Sequence, residues 1–476
     1  MTKGGRQRPP FSYVGAALLL AGLLALAAPG PAARAALFHP QTFRLDNGLQ
    51  VVVIPNHRMP VVTQMLWYKV GSADDPRGKD GLAHMVEHMM FKGTPSVPAG
   101  RFSRIVAENG GRENAFTTVD YTVFFQSVAA DRLALVMRLE SDRMAHLVLA
   151  DTDFQPERQV VLEERRLRID SRPEARLEER MTAALFPASP YRHPVIGRPA
   201  AIRRYTLADV TAFHKRWYAP NNAILVLAGD ITAAAARPLA ERYYGPIPAR
   251  PLPRRHRPAA ARPRAARLII LRDPDVAAPS WSRSYPAPSY HAGRTALAYP
   301  LQVLAEALDG GGTSRLYQTL VVRRKLAAAV SVGYSPEALG GTSFDLAADP
   351  APGVPLARLR AGLDSLLADV AARGLSAREV ARAKAHLAID AAYARDSLHT
   401  GARVLGAALA VGDRVADVEA WPERIAAVTP AEVNAAARAV LQARGAVTGL
   451  LLPGPGQGHA PPPGPRGEPA PGRELR

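Results

Sequence analysis

The amino-acid sequence predicts an α+β protein made of two homologous halves, each an antiparallel sheet packed with helices. The first observation is a repeat, in which a helix starting after Thr206 and a buried strand at 223–228 recur as a helix at Thr429 and a strand at 447–452. The second is that strand and helix patterns do not alternate strictly, which disfavours a doubly wound parallel sheet. The third is a stretch at 249–266, rich in Pro, Arg and Ala, which is typical of a linker.

The first 35 residues have the features of a secretory signal peptide. A basic, polar start precedes a nearly unbroken apolar run over 14–28, which a Pro-Gly-Pro segment ends. Small residues at Ala33 and Ala35 predict cleavage after Ala35, which removes 1–35. The alternative is an uncleaved membrane anchor, for which this run is short. We therefore expect an exported chain, periplasmic in a bacterium, with no stable membrane insertion.

The first half, 36–248, contains clear local signals. An Asn47-Gly48 pair between alternating apolar residues predicts a hairpin over 43–54. Pro156 suits the first position of a helix, and Thr206 suits an N-cap. The other elements expected in this half are strands at 61–70, within 115–128 and at 223–228, and helices at 81–91, 101–108, 131–146, 156–169 and 206–218.

The second half, 267–453, is predicted to repeat this organisation. The elements expected here are strands at 268–271, 330–334, 342–347 and 447–452, and helices at 295–308, 314–322, 354–373, 376–395 and from Thr429. Residues 454–476 consist mostly of Pro, Gly and Arg, so we expect a disordered tail there.

Composition excludes several kinds of site. The 476 residues include no Cys, which excludes disulfides, thiolate metal ligands and a cysteine nucleophile. Any metal must therefore be held by His and carboxylates. The net charge of +18 is partly local, because seven arginines lie between 250 and 267. No aromatic residues interleave with them, so a solvated linker is favoured and no nucleic-acid partner is expected.

The chemistry is concentrated on the helix predicted at 81–91. His84, Glu87 and His88 lie at i, i+3 and i+4 on a face distinct from the apolar one. Two imidazoles one turn apart can bind one Zn²⁺ from the same side, and Glu87 is a candidate general base for a water that the metal activates. This His-x-x-Glu-His order occurs among inverted zinc peptidases. The alternative is a helix that carries two surface histidines and no metal.

A third ligand is expected from the helix that starts near Pro156. Glu157 and Glu164 are seven residues apart and share one face, which suits a ligand and a carboxylate that orients the site. Spacing alone does not choose Glu164 over Glu163. Acidic residues on a solvated helix among arginines are an equally good interpretation of this segment.

The segment from Gly81 to Thr94 resembles the active-site segment of the pitrilysin/insulinase family of inverted zinc metallopeptidases. That family places its third ligand about 76 residues beyond the second His, in a Glu-Arg-x-x-x-x-x-Glu segment, and Glu164 follows His88 by 76 residues. The resemblance therefore implies one zinc per chain held by His84, His88 and Glu164, with Glu157 as the supporting acid. It also implies that the two halves form a clamp around a chamber.

A second segment, Gly110 to Thr122, resembles the family's Gly-Gly-x-x-Asn-Ala-x-Thr motif. In the family this segment lies beside the zinc and offers a strand edge to the substrate backbone. Asn114 and Ala115 are therefore the expected substrate-contact residues. The alternative is a helix that ends at glycine and leads into an ordinary hairpin.

The second half departs from the family pattern in two respects. Its helix at 295–308 has Glu306 and no His, so a second zinc site is not expected. Many members have an Arg and, seven residues later, a Tyr that bind substrate, and these positions fall on Val321 and Ala328 here. In some bacterial members a homologous subunit without the zinc motif supplies this pair, so the resemblance implies a homodimer or such a heterodimer.

The resemblance implies a zinc endopeptidase that hydrolyses short or unfolded peptides. Glu87 is expected to take a proton from the attacking water and to pass it to the leaving amine. One alternative is a non-catalytic peptide-binding subunit of the same fold, and another is the catalytic half of an obligate heterodimer.

Overall fold

The computed structural model describes residues 37–255, 257, 263 and 265–455. The predicted signal peptide lies outside the described residues, as does the predicted tail beyond residue 455. Within the described ranges, no helix has both the length and the apolar character needed to cross a membrane.

The first half is built on a six-stranded sheet. Its strands are β1 (Gln41–Arg44), β2 (Gln50–Pro55), β3 (Val61–Tyr68), β4 (Arg112–Thr117), β5 (Thr122–Ala129) and β6 (Ala223–Gly229). Their order is β1-β2-β6-β3-β5-β4, and all neighbours are antiparallel except β2 and β6. The predicted antiparallel sheet is thus correct apart from this pair, because β6 follows a long helical crossover rather than a tight turn.

The helices of the first half, with the exception of α5, form a layer against one face of this sheet. They are α1 (Leu82–Met89), α2 (Arg101–Glu108), α3 (Leu133–His146), α4 (Asp151–Arg165), α5 (Pro173–Leu185), α6 (Pro199–Ile202), α7 (Leu207–Trp217) and α8 (Ala233–Tyr244). Thr206 caps α7 as predicted. The start of α4 was wrong by five residues, since Pro156 lies inside the helix. Asp151 and Asp153 in the first turn favour the earlier start electrostatically.

The second half repeats the first sheet without its outermost strand. Its strands are β7 (Arg267–Asp273), β8 (Ser280–Ala287), β9 (Ala327–Tyr334), β10 (Thr342–Pro350) and β11 (Val447–Pro453). The order β7-β11-β8-β10-β9 matches β2-β6-β3-β5-β4 strand for strand, including the parallel pair, which here is β7 and β11. The predicted duplication is therefore visible in the topology.

The helices of the second half include several that no sequence signal predicted. They are α9 (Ala298–Asp309), α10 (Leu356–Arg373), α11 (Ala377–Ala394), α12 (Leu398–Ala410), α13 (Val415–Glu419), α14 (Trp421–Ala427) and α15 (Pro430–Val440). The helix predicted at 314–322 is largely a π-helical turn, Tyr317–Arg323.

The two halves exchange one helix each. Helix α5 of the first half packs on β7 and β11, and α12 of the second half packs on β3 and β6. These helices start at equivalent places in the repeat, at Pro173 and Leu398. Each sheet is therefore covered on one face by helices of its own half and on the other by a helix of its neighbour, so the halves share their cores.

The arginines of the predicted linker are not all solvated. Arg255 pairs with Asp74 at 3.1 Å, and Arg257 pairs with Asp74 at 2.8 Å and with Asp120 at 3.1 Å. Asp120 also accepts hydrogen bonds from the Tyr191 hydroxyl and from the backbone N–H of Leu339. The prediction of a solvated basic segment was wrong for these two arginines, because buried carboxylates from the first half neutralise them.

Candidate metal centre and peptide-binding cleft

Helix α1 is held in place at its N-terminus. The Asp75 carboxylate accepts hydrogen bonds from the N–H groups of Gly81 at 2.7 Å and Ala83 at 2.8 Å, which satisfies two free donors of the first turn. Gly81 has φ of 93°, and a Cβ there would lie 2.3 Å from the carbonyl oxygen of Ile196. Only glycine fits at this close approach, which directs the helix inwards.

Three side chains from two helices converge on one point. His84, His88 and Glu164 each place one potential ligand atom within 4.8 Å of the others. The Glu164 Oε2 atom lies 3.1 Å from His88 Nε2 and 3.7 Å from His84 Nε2. Two imidazole nitrogens and one carboxylate oxygen are a donor set that suits zinc and leaves a coordination position open. Glu163 points to solvent and pairs with Arg166 at 2.6 Å, so the structure places Glu164 beside the histidines.

A second group of side chains orients these three. The Nδ1 atom of His88 lies 2.7 Å from Glu157 Oε1, so its proton is directed to that carboxylate and its Nε2 faces Glu164. Lys92 pairs with the other oxygen of Glu157. Arg168, on the π-helical turn Arg166–Asp170, reaches back to Glu164 Oε1 at 2.8 Å.

The electrostatics of the two histidines differ. Burial, together with the nearby His88, lowers the pKa of His84 to about 4. Burial also acts to lower the pKa of His88, but its hydrogen bonds to Glu157 and Glu164 outweigh this and raise the pKa to about 9. In the metal-free protein His84 is therefore neutral at pH 7, whereas His88 is protonated and directs one N–H to Glu157 and the other to Glu164.

Glu87 lies beside this group without joining it. Its carboxylate accepts a hydrogen bond of 2.5 Å from the hydroxyl of Thr117, at the end of β4. Burial raises the pKa of Glu87, against the opposing effect of that hydrogen bond. A buried carboxylate with a raised pKa is a better proton acceptor than an exposed one, which suits a general base.

The converging side chains open into a cavity of about 760 Å³. Asn114 and Ala115 line it on β4, which is the edge strand of the first sheet. Ala115 packs with the core under α1, whereas Phe116 packs with the core on the opposite face of the sheet. The structure therefore brings both predicted substrate-contact residues to the cavity that contains His84, Glu87 and His88.

Sequence reasoning missed three residues of this site. Thr117 belongs to the motif that singled out Asn114 and Ala115, and only the tertiary contact with Glu87 distinguishes it. Lys92 and Arg168 each lie four residues after a site residue, and this helical spacing is a usable but weak signal.

Among its described residues, the second half has no equivalent of this group. Helix α9 places Glu306 near His386 of α11, at 3.2 Å, and no further His joins them. Among the described residues, the group of His84, His88 and Glu164 is the one cluster that could hold a metal ion.

Comparison with known proteins decides the family. Two family models match the chain, described as Insulinase (Peptidase family M16) over 50–198 and Peptidase M16 inactive domain over 204–387. An uncharacterized zinc protease of Mycobacterium bovis is 30% identical over 421 residues, which cover 87% of this chain and 93% of that protein. The chain belongs to the insulinase family, peptidase family M16.

Other known proteins are similar to this chain over different spans. Zinc protease PqqE of Helicobacter pylori is 38% identical over 205 residues, 43% of this chain and 46% of that protein. A solved protease from Helicobacter pylori superposes with a TM-score of 0.80 at 26% identity, covering 87% of this chain and 99% of that one. The periplasmic protease PqqL of Escherichia coli gives a TM-score of 0.73 at 19% identity, over 87% of this chain and 47% of that one.

These matches confirm the predicted fold class and family. The chain has the two-halved α+β architecture of pitrilysin-like structures, and it spans about half the length of PqqL. The family model described as Peptidase M16 inactive domain covers most of the second half, in which helix α9 has no histidine.

Proposed function

We propose that this protein is a zinc-dependent endopeptidase that hydrolyses short or unfolded peptides. The observation that carries the proposal is the convergence of His84, His88 and Glu164 beside Glu87, in a cavity bordered by an edge strand. Relatives named zinc proteases support the same interpretation of the site.

The residues present fit one zinc ion. His84, His88 and Glu164 would hold it, with Glu157 fixing the His88 ring. The unpartnered Nδ1 atom of His84 is buried, so this ring has no competing hydrogen bond that would turn it away. A bound zinc ion lowers the pKa of a water and polarises a carbonyl oxygen.

Glu87 performs the proton transfers in this proposal. It accepts a proton from the attacking water and donates it to the leaving amine as the peptide bond breaks. The hydroxyl of Thr117 donates to one carboxylate oxygen at 2.5 Å and so leaves the other oxygen available for the proton.

Strand β4 holds the substrate in this proposal. Its outer edge has no neighbouring strand among the described residues, so its backbone groups are free to pair with an extended peptide. Backbone pairing positions a peptide without reading much of its sequence. Asn114 and Ala115 are the contacts nearest the cavity on this edge.

The test is cleavage of an unstructured peptide library by the purified protein, with bound zinc measured in the same samples. Glu87→Gln is expected to retain zinc and to lose at least about a hundredfold in rate, the usual contribution of a general base. Glu163→Gln is the matched control, because Glu163 is exposed and outside the site. Full activity in Glu87→Gln would contradict its role, and a protein that binds no zinc would contradict the ligand assignment.

A dimer is a second proposal. Val321 and Ala328 occupy the positions at which many family members have the substrate-binding Arg and Tyr, and the chain spans about half of PqqL. A homologous subunit without the zinc motif, or a second copy, would supply that pair. Bound zinc without cleavage by the purified chain, and cleavage after adding the partner, would support the heterodimer over a self-sufficient enzyme. Zinc-independent peptide binding alone would favour a non-catalytic subunit.

We also propose that the protein acts after export, in the periplasm of a bacterium. The predicted signal peptide supports this, together with the structural similarity to PqqL, which is a periplasmic protease. The N-terminal residue of the protein isolated from cells is the measurement, since Ala36 is expected after cleavage and an intact Met1 would indicate an anchor.

A further inference from the structure

The edge strand β4 has a second face that the proposed chemistry does not use. Ala115 and Thr117 face α1, whereas Asn114 and Phe116 face the opposite side, towards α12 of the second half. A peptide paired along the edge of β4 would alternate its side chains between these two sides. Every second substrate side chain would therefore meet groups on the α12 side.

The α12 side of β4 is lined by aromatic rings and one guanidinium. The ring of Phe116 lies 6.1 Å from that of Trp67 and 6.4 Å from that of Tyr121. The Arg403 guanidinium carbon on α12 lies 5.4 Å from the centre of the Phe116 ring. His399, one turn earlier, places its ring 5.1 Å from the ring of Phe125.

A cavity of about 1000 Å³ opens beside these groups. Trp67, Tyr121, His399 and Arg403 line it. It is separate from the cavity of the proposed metal centre, which Phe116 lines. Phe116 and Arg403 together therefore stand between the free edge of β4 and the second cavity.

Arg403 is the unneutralised cation at this point. Its side chain is exposed, and none of the ion pairs among the described residues involves it. Burial lowers the pKa of His399, and the charge of Arg403 lowers it further, which disfavours the charged imidazolium form. The positive charge beside Phe116 therefore comes from Arg403.

Most carboxylates that line the second cavity already have polar partners. These contacts are Asp413 with His291 at 3.1 Å, Asp417 with Arg424 at 2.8 Å, and Glu337 with the Ser335 hydroxyl at 2.8 Å. Asp390 lies on α11 near Glu306. Burial raises the pKa of Glu306, and the negative charge of Asp390 raises it further. These acids lie outside α12. Arg403 is the charged residue on α12 whose side chain contacts the Phe116 ring.

We propose that Phe116 and Arg403 form a subsite for an acidic side chain of the peptide substrate. The aliphatic part of an Asp or Glu would lie on the Phe116 ring, and its carboxylate would pair with the guanidinium. Through the exchanged helix α12, the second half would thus select substrates for the metal centre of the first. This inference rests on the proposed peptidase function and deepens it.

The test uses one neutral, unstructured peptide in which a single Glu is moved along the sequence, with Gln at the same position as the reference. For the wild-type protein, kcat/KM is expected to be about tenfold higher with Glu than with Gln at one or two positions, two residues apart along the peptide. This ratio lies between those expected for an exposed ion pair and for a charge-assisted hydrogen bond. Arg403→Gln is expected to bring this ratio to about 1, and Arg403→Lys to keep part of it. Arg403→Glu is expected to favour Lys over Gln at the same positions.

Arg378→Gln is the matched control, since Arg378 is an exposed arginine on α11 that does not line the cavity. A wild-type ratio near 1 at every position, or a preference that survives Arg403→Gln, would overturn the subsite.

A binding experiment separates this proposal from the peptidase proposal. The zinc-loaded Glu87→Gln protein is titrated with fluorescent Glu and Gln peptides and followed by anisotropy. If the wild type cleaves no peptide, and Glu peptides nevertheless bind more tightly than Gln peptides in an Arg403-dependent manner, the subsite stands and peptidase activity of the chain alone fails. Equal affinities with and without Arg403 would reject the subsite whatever the activity.

Discussion

The packing of α12 on the first sheet leads to a specific prediction about Gly406. This residue lies against the indole of Trp67, and a Cβ added to it would be 2.0 Å from Cε2 and 2.3 Å from Nε1. Trp67 is only 1% exposed, and its ring contacts Phe116 and Tyr121. These two rings hold the indole in place, and Gly406→Ala is therefore expected to destabilise the fold.

The expected change in the free energy of unfolding for Gly406→Ala follows from two opposing effects. Alanine in place of glycine inside a helix stabilises by about 1 kcal/mol. Overpacking a buried site costs about 1–3 kcal/mol, and a 2.0 Å contact with a rigid ring is at the upper end of that range. The net loss for Gly406→Ala is therefore about 2 kcal/mol.

The matched control is Gly401→Ala on the same helix. There, the nearest atom to an added Cβ would be Cδ1 of Phe38 at 3.1 Å, which can give by a few tenths of an ångström. This variant is expected to be neutral or stabilised by up to about 1 kcal/mol.

Thermal unfolding followed by circular dichroism is the assay. Gly406→Ala is expected to melt about 2–6 °C below wild type, and Gly401→Ala at or above it. If Gly406→Ala melts as high as Gly401→Ala, the close approach of α12 to Trp67 is refuted.

Three further predictions concern single carboxylates. Glu157→Gln is expected to weaken zinc binding by about 10- to 100-fold in a chelator competition, because the His88 ring loses its anionic partner, whereas Glu163→Gln is expected to leave it unchanged. Hydrogen bonds from Arg315 outweigh the burial of Glu379 and lower the pKa of its carboxyl to about 2; this pair stabilises the fold above about pH 4.5 and loses that effect as the pH falls towards 2. Replacing Glu379 by Gln should therefore lower the unfolding free energy by about 1–3 kcal/mol at pH 7. The difference from wild type should become smaller below about pH 4.5, and a difference that does not change with pH would contradict the argument. Asp120→Asn should cost about 2–4 kcal/mol in urea unfolding, because the buried Arg257 loses one of the two charged partners that it has among the described residues.

The local features of this protein follow from its sequence alone. The hairpin around Asn47-Gly48, the capping of α7 by Thr206 and the placement of His84, Glu87 and His88 on one helix depend on residues a few positions apart. Helical and strand periodicity determine such groupings wherever the chain lies in the fold.

The tertiary structure decided what depends on distant parts of the chain. Sequence spacing did not decide between Glu164 and Glu163 as the ligand, because the two are adjacent residues on α4. Only the position of α1 determines which of them faces the histidines. The parallel strand pairs, the exchange of α5 and α12 and the buried pairs of Arg257 likewise join segments tens to hundreds of residues apart. The physical reason is that these contacts arise from packing two halves into one core, which no local period encodes.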